Sequence, residues 1–243
     1  MGNIQNGWMT STYRDKGTTF SCSELTKPSY QLWVSKHAPQ KEDRATSTVS
    51  FKSFLGQALH TACEKTEEPG VVKEFTWTRE IKPGITLGGT CDELRWRYTV
   101  KKWRLGDIKL KGVYPAKKFL GVGTKANPNP KKEQEKEQLQ MSIYRWLFQD
   151  LFDIEDKAVI YLFINGHTAR EQFPEYQEVW LDLLPINITQ TYINGKIDTA
   201  LAATPPTKDC EDWLCGYCEV KEHCPYQQRL NSTPDEGFKN ERR

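Results

Sequence analysis

The chain predicts an α/β fold: a mixed sheet flanked by helices, closed by a C-terminal, metal-bound cysteine segment. Two observations point there. A helical apolar pattern over about 49–65 precedes three strand-like segments between 71 and 111, and a second helical pattern over about 132–152 precedes two more strands. Helices interleaved with strands in this order argue for mixed layers rather than an all-helical bundle.

Each element has its own pattern. Residues 18–36 read as a short extended entry and a helix, with Ser23 as a cap before Leu25, Leu32 and Trp33. In the next helix Phe51, Phe54, Leu55, Ala58, Leu59 and Ala62 recur at three- and four-residue spacing, and His60 lies in its last two turns. The spans 71–81, 86–98 and 100–111 are rich in β-branched and aromatic residues and read as strands. Residues 112–131, with their glycines and Pro115, Pro128 and Pro130, read as a long basic loop, and structureless connections of that length are usually functional. The following helix carries Glu and Lys outside and Leu139, Ile143, Trp146 and Leu147 inside. Strands over 158–164 and 177–184 and a helix over 188–203 complete a core spanning 18–204. Residues 205–226 hold the cysteines, 1–17 form a polar tail, and 227–243 a polar, disordered one.

Composition narrows the setting. With 37% hydrophobic and 27% charged residues and a mean hydropathy of −0.71, the chain reads as soluble and globular. No apolar run approaches the roughly 18 residues of a membrane span, and 1–17 lack a signal-peptide core. A reducing, cytoplasmic location follows as the expectation, where cysteines serve as metal ligands rather than disulfides. Charge is segregated. Residues 101–132 carry ten basic side chains against the single acid Asp107, a local +9 within a total of +2, which leaves −7 elsewhere. Such a distribution suits a polyanion, nucleic acid first, although a solvated lysine-rich loop gives the same pattern.

The chemistry-bearing residues begin with Gly106-Asp107-Ile108-Lys109. In a strand, Asp107 and Lys109 project from one face, a carboxylate able to hold a divalent metal beside a lysine able to orient water. Asp92 ends a strand after Gly88-Gly89 and can meet Asp107 on the neighbouring strand. Two converging carboxylates repel, and a hard cation such as Mg²⁺ or Mn²⁺ resolves the conflict. His60 offers a softer nitrogen that admits Mn²⁺ alongside Mg²⁺. Gln140 and Tyr144 lie one helical turn apart on a shared face. Glu64 and Glu93 are second-line candidates. Singly, each has a plain structural reading: a satisfied core histidine, a turn aspartate, a hydrogen-bonded glutamine, a core tyrosine. Cys210, Cys215, Cys218 and Cys224 form C-x4-C-x2-C-x5-C before Pro225, four thiols close enough in sequence to make a metal site. Cys63 and Cys91 read as small buried residues.

Taken in order, Gly56-Gln57-Ala58-Leu59-His60, Gly89-Thr90-Cys91-Asp92, Gly106-Asp107-Ile108-Lys109 and Gln140-Met141-Ser142-Ile143-Tyr144 resemble the RecB-type branch of the PD-(D/E)XK nuclease superfamily, over about residues 20–225. The resemblance, nearest in kind to the CRISPR-associated and AddB-like exonucleases with C-terminal cysteines, implies a restriction-endonuclease-like core. It implies His60, Asp92 and Asp107 on Mg²⁺ or Mn²⁺, Lys109 aiding the attacking water, and Gln140 and Tyr144 on a helix facing the site. It implies a deoxyribonuclease, an exonuclease or end-processing enzyme on single strands or duplex ends, in recombination, repair or spacer capture with matching protein partners. Small size without an attached helicase suits a phage protein working in host cytoplasm. The last three cysteines resemble the C-x2-C-x5-C-P run of iron–sulfur relatives, whose fourth ligand precedes a proline near the N-terminus. Lys27-Pro28 stands there instead, so Cys210 is the local fourth ligand and Cys22 the remote one. The group is [4Fe-4S] or, as the alternative, Zn²⁺, on which His223 could replace a cysteine. Lys111, Lys117, Lys118 and Lys125 would contact DNA phosphates, with Tyr114 or Phe119 stacking on bases. Rival readings are a non-catalytic DNA-binding protein that kept the fold and a zinc-binding interaction module. A sequence-specific restriction enzyme is a third, disfavoured by the absence of a separate recognition domain.

Overall fold

The computed structural model describes residues 10–11, 18–38, 47–48, 51–65, 67–123, 128, 131–167, 173–212, 215 and 218–226. The tail expectations for 1–9, 12–17 and 227–243 therefore lie outside the described residues. The elements are β1 (Thr10–Ser11), β2 (Phe20–Ser21), α1 (Cys22–Leu25), α2 (Ser29–His37), β3 (Ser47–Thr48), α3 (Phe51–Glu64), β4 (Val71–Lys82), β5 (Ile85–Arg97), β6 (Lys102–Gly112), α4 (Val113–Leu120), α5 (Glu135–Phe148), β7 (Ile154–Asn165), β8 (Tyr176–Asp182) and α6 (Ile186–Leu201). They fall into two compact units, 1–26 with 42–193 and 27–41 with 194–243.

The first unit is a mixed α/β layer structure around a six-stranded sheet. β4 and β5 form a hairpin closed by Pro83-Gly84, with Gly84 at φ 74°, where proline presets one turn residue and glycine takes the left-handed one. β5 turns back into β6, antiparallel, and β6 runs parallel to β7. A parallel neighbour needs a long crossover, and α4 and α5 supply it. β8 completes the sheet antiparallel to β7. Leu94, Leu105, Ile160 and Leu162 of the sheet and Met141, Ile143, Leu147 and Phe148 of α5 are almost wholly buried. Each such side chain contributes roughly 1.5–3 kcal/mol by leaving water. α5 follows its apolar stripe at Ile143, Trp146 and Leu147, widened by Met141, Tyr144 and Phe148, while Leu139 is only half-buried.

Two local expectations are corrected. Residues 112–131 are not loop throughout, because α4 occupies Val113–Leu120. Its Pro115 lies in the first turn, where a missing N–H costs nothing, and Gly121 is its left-handed C-cap at φ 67°. The proline and glycine that read as loop are a helix start and stop. Near the N-terminus, Ser21 rather than Ser23 is the cap: its hydroxyl accepts from the Glu24 N–H while the Glu24 carboxylate accepts from the Ser21 N–H. That helix lasts one turn, and a new one starts after Pro28.

In the second unit, Tyr30, Trp33 and Val34 of α2 pack against Val220 and Cys224, with Cys210, Cys218 and Tyr226 around them. Pro28 offers no side-chain cap to α2. The Asp209 carboxylate does so from a distance, accepting from the Ser29 and Tyr30 N–H groups at 2.6 and 3.0 Å. Among the described residues, no helix is long and apolar enough to cross a membrane.

Candidate active site

The site is built at a fork in the sheet. β5 pairs with β6 only over Glu93–Arg97, while its Leu87 and Gly88 pair with Phe20 and Ser21 of β2. Beyond Gly106 the edge of β6 that faces β5 has no ladder partner among the described residues, while its other edge stays paired with β7. Asp92 fills the gap with its side chain, Oδ2 accepting the Ile108 N–H at 2.6 Å. Asp107 follows Gly106, the last residue paired with β5. Its side chain is buried, 3% exposed, and faces Lys109 Nζ at 2.8 Å from Oδ2 and 3.1 Å from Oδ1. Oδ2 nonetheless has no well-angled hydrogen bond, leaving a buried anionic oxygen short of a partner. α3 delivers His60, with Nδ1 3.4 Å from Asp92 Oδ1 and 3.9 Å from Glu74 Oε1.

Electrostatics follow from this crowding. Burial, with the Asp92 carboxylate adding, pushes the Asp107 carboxyl up to about 6 against the pull of Lys109. The hydrogen bond to Asp92 raises His60 despite desolvation. Burial would lower Lys109, but the Asp107 charge reverses the sign and keeps it protonated. A buried carboxyl such as Asp107 that resists ionisation is one that a divalent cation would satisfy.

α5 forms another wall. Gln140 Nε2 donates to the Tyr144 hydroxyl at 3.1 Å, as their spacing predicts. Tyr144 is buried, which raises its phenol well above the usual range. It packs so closely on β5 that a Cβ at Gly89 would stand 2.7 Å from Tyr144 Cε1 and 2.6 Å from Cys22 Sγ. Gly89 is required there for space rather than for its backbone angles.

With this geometry in place, the family model described as the PD-(D/E)XK nuclease superfamily matches residues 28–225. The chain belongs to this superfamily. Among solved structures it is similar to SSO0001, at 18% identity and a TM-score of 0.49, covering 89% of this chain and 90% of that one. It is also similar to a phage-related exonuclease from Haemophilus somnus 129PT, at 14% identity and a TM-score of 0.33, covering 82% and 95%. No curated protein matches it.

As a PD-(D/E)XK nuclease, the chain brings His60, Asp92, Asp107 and Lys109 together at the fork, with Gln140 and Tyr144 on α5. It also adds Glu74, which the sequence reading passed over. The donor atoms of His60, Glu74 and Asp92 all lie within 4.8 Å of one another; Asp107 is outside that trio. Octahedral ligands about 2.1 Å from a cation stand about 3.0 Å apart when adjacent and 4.2 Å when opposite. The 3.4 and 3.9 Å separations of His60 from Asp92 and Glu74 fit that frame. Strand pairing is the signal that finds Glu74, since it falls between the Lys73–Glu93 and Phe75–Cys91 pairs, level with Asp92. Glu93 points into a separate network with Lys73, Arg95 and Tyr161. The Glu64 side chain lies outside the described residues.

The lysines divide. Lys111 forms a 2.8 Å ion pair with Glu137, which is 7% exposed, so it is bound to α5. Lys117 lies over the Phe173 ring, and Lys118 pairs with Glu133 at 3.2 Å. Lys125 is outside the described residues. Phe119 is buried, 1% exposed, and is corrected from a stacking candidate to core, whereas Tyr114 is 65% exposed.

The cysteines converge in the second unit. Cys210, Cys215, Cys218 and Cys224, all free thiols, line one cavity of about 100 Å³ with Tyr30, Gln31, Val34 and Val220. His223 is not among its lining residues. Cys22, the remote alternative, is instead buried in the first unit against Gly89. Lys27, where the iron–sulfur pattern would have cysteine, reaches into the cysteine segment by an ion pair with Glu219 at 2.9 Å. No three of the four sulfurs lie within 4.8 Å of one another. Tetrahedral zinc, at about 2.3 Å per Zn–S bond, would draw them to about 3.8 Å.

Proposed function

We propose that the protein is a Mg²⁺- or Mn²⁺-dependent deoxyribonuclease of the RecB-type branch that trims DNA ends, as an exonuclease on single strands or opened duplex ends. The observation that carries this is the strand fork, which sets Asp92 beside Asp107 and Lys109 under His60. His60, Asp92 and Asp107 would hold the cation, which when bound supplies Lewis acidity at the scissile phosphate and a more acidic water. Lys109, kept protonated by Asp107, offsets charge on the crowded phosphate and orients the attacking water. Gln140 and Tyr144 position that lysine or the strand. Lys117, Lys118 and exposed Tyr114 on α4 follow the basic segment and would border the DNA path.

The cavity lined by all four thiols is where a [4Fe-4S] cluster would sit. Its role would be to pin the C-terminal segment to α2. Recombination, repair or spacer capture, in phage or host, is the setting such an end-trimming enzyme would serve.

The test is incubation of anaerobically purified protein with end-labelled single- and double-stranded DNA and Mn²⁺ or Mg²⁺, beside Asp107→Ala and Lys109→Ala. Metal-dependent cleavage lost in both variants is the expected result, and the product ladder gives polarity. DNA binding without cleavage on any substrate would favour the non-catalytic reading instead.

A further inference from the structure

We propose that Glu74 is a ligand of the divalent cation, held on target by a left-handed kink in β4; this rests on the metal-dependent reading above. The register places it. Lys73 pairs with Glu93 and Phe75 with Cys91, so Glu74 falls level with Asp92 at the step that the ladder leaves unpaired. At Glu74, the fourth residue of a twelve-residue strand, the backbone φ is +48°. That region is disfavoured for a side chain with a Cβ, and the described residues show it at one other non-glycine, Lys101, in the β5–β6 turn.

The kink has a direct consequence. In a regular strand, Lys73 and Phe75 would project alike. Here Lys73 runs to the Glu93 carboxylate at 2.7 Å, while Phe75 packs edge-on against Phe148 and Phe152 with ring centroids 5.2 and 5.0 Å away. Between them the Glu74 carboxylate is directed at His60, 3.9 Å from Nδ1. A casual surface pair with His60 would not need a disfavoured backbone angle within a strand. Glu74 and Asp92 would then hold the cation from neighbouring strands, and His60 from α3.

The deciding experiment measures Mn²⁺ binding to the full-length, DNA-free protein by calorimetry or electron paramagnetic resonance, for wild type, Glu74→Gln and Asp92→Asn. Glu74→Gln should weaken Mn²⁺ affinity about tenfold or more, in the same direction as Asp92→Asn. Wild-type affinity in Glu74→Gln, with Asp92→Asn impaired, would overturn the assignment and leave the metal centre standing. A wild type that binds no Mn²⁺ would refute the metal-dependent reading itself, and this assignment with it. A second comparison tests the kink. In EDTA, Glu74→Gly should resist urea better than Glu74→Ala, with an unfolding constant about fivefold smaller, since glycine adopts positive φ without penalty. Equal or reversed stabilities would show that the backbone is not held in the left-handed region.

Discussion

Acidification offers a sharp test of the sheet that carries the site. Glu93 adjoins Asp92 but has an opposite environment. It is 3% exposed and receives Lys73 Nζ at 2.7 Å, Arg95 Nε at 3.0 Å and the Tyr161 hydroxyl at 2.6 Å. Burial alone would raise its carboxyl, but the bonds from Arg95, Lys73 and Tyr161 prevail and hold it down at about 2. A folded-state value depressed from 4.5 to about 2 means the ionised form stabilises the fold. That contribution is complete above the unfolded value and is lost as pH falls through the folded one. Two and a half pH units correspond to roughly 3 kcal/mol, or a melting-temperature change of roughly 6–12 °C for a chain of this size. Glu93→Gln keeps shape but not charge, so urea midpoints of wild type and variant should differ by most of that amount at pH 7. The gap should narrow from about pH 4.5 downward and close near pH 2, because other carboxylates protonate in both proteins and cancel. A gap that stays constant across this range would refute the argument, since the loss would then come from packing rather than charge.

Three further outcomes follow from the same geometry. Gly89→Ala forces a methyl group into Cys22 and Tyr144 at 2.6 and 2.7 Å; it should cost about 1–3 kcal/mol in a melt and reduce cleavage more than binding, and Cys22→Ala should partly restore it. Protein purified anaerobically should be brown with about four irons per chain. Colour should be lost in Cys210→Ser as fully as in Cys218→Ser but kept in Cys22→Ser, and a colourless protein with one zinc would refute the cluster. Neutralising Lys117 and Lys118 should lower the dependence of single-strand affinity on log salt by about 0.7 per lost phosphate contact; an unchanged slope would remove α4 from the DNA path.

What was legible in the sequence follows from the range of each signal. Asp107 and Lys109 were readable because strand alternation is strictly local, and Gln140 with Tyr144 because a helical turn is. The α5 stripe was legible for the same reason. α4 was not, since Pro115 and Gly121 mark helix ends as well as loops, and only the structure shows that eight helical residues lie between them. Phe119 was misread along with it, as a loop aromatic is exposed by default and a helical one can face the core.

Glu74 marks where local reading ends. Nothing in Val71-Val72-Lys73-Glu74-Phe75 distinguishes it from any charged residue on a solvated strand. Its position depends on a β4–β5 register set by a turn about ten residues away, and on a backbone angle its neighbours impose. Asp92 is an intermediate case. The sequence suggests a carboxylate near Asp107, but not that β5 leaves β6 there, so that a side chain must supply the hydrogen bond the main chain no longer can. The fork makes one residue both structural and chemical. Asp92 Oδ2 secures the Ile108 N–H, which fixes Asp107 and Lys109 on either side, and Oδ1 remains turned toward His60. Asp92→Asn preserves an acceptor for Ile108 and so separates the two roles: the fold should survive while cation binding fails.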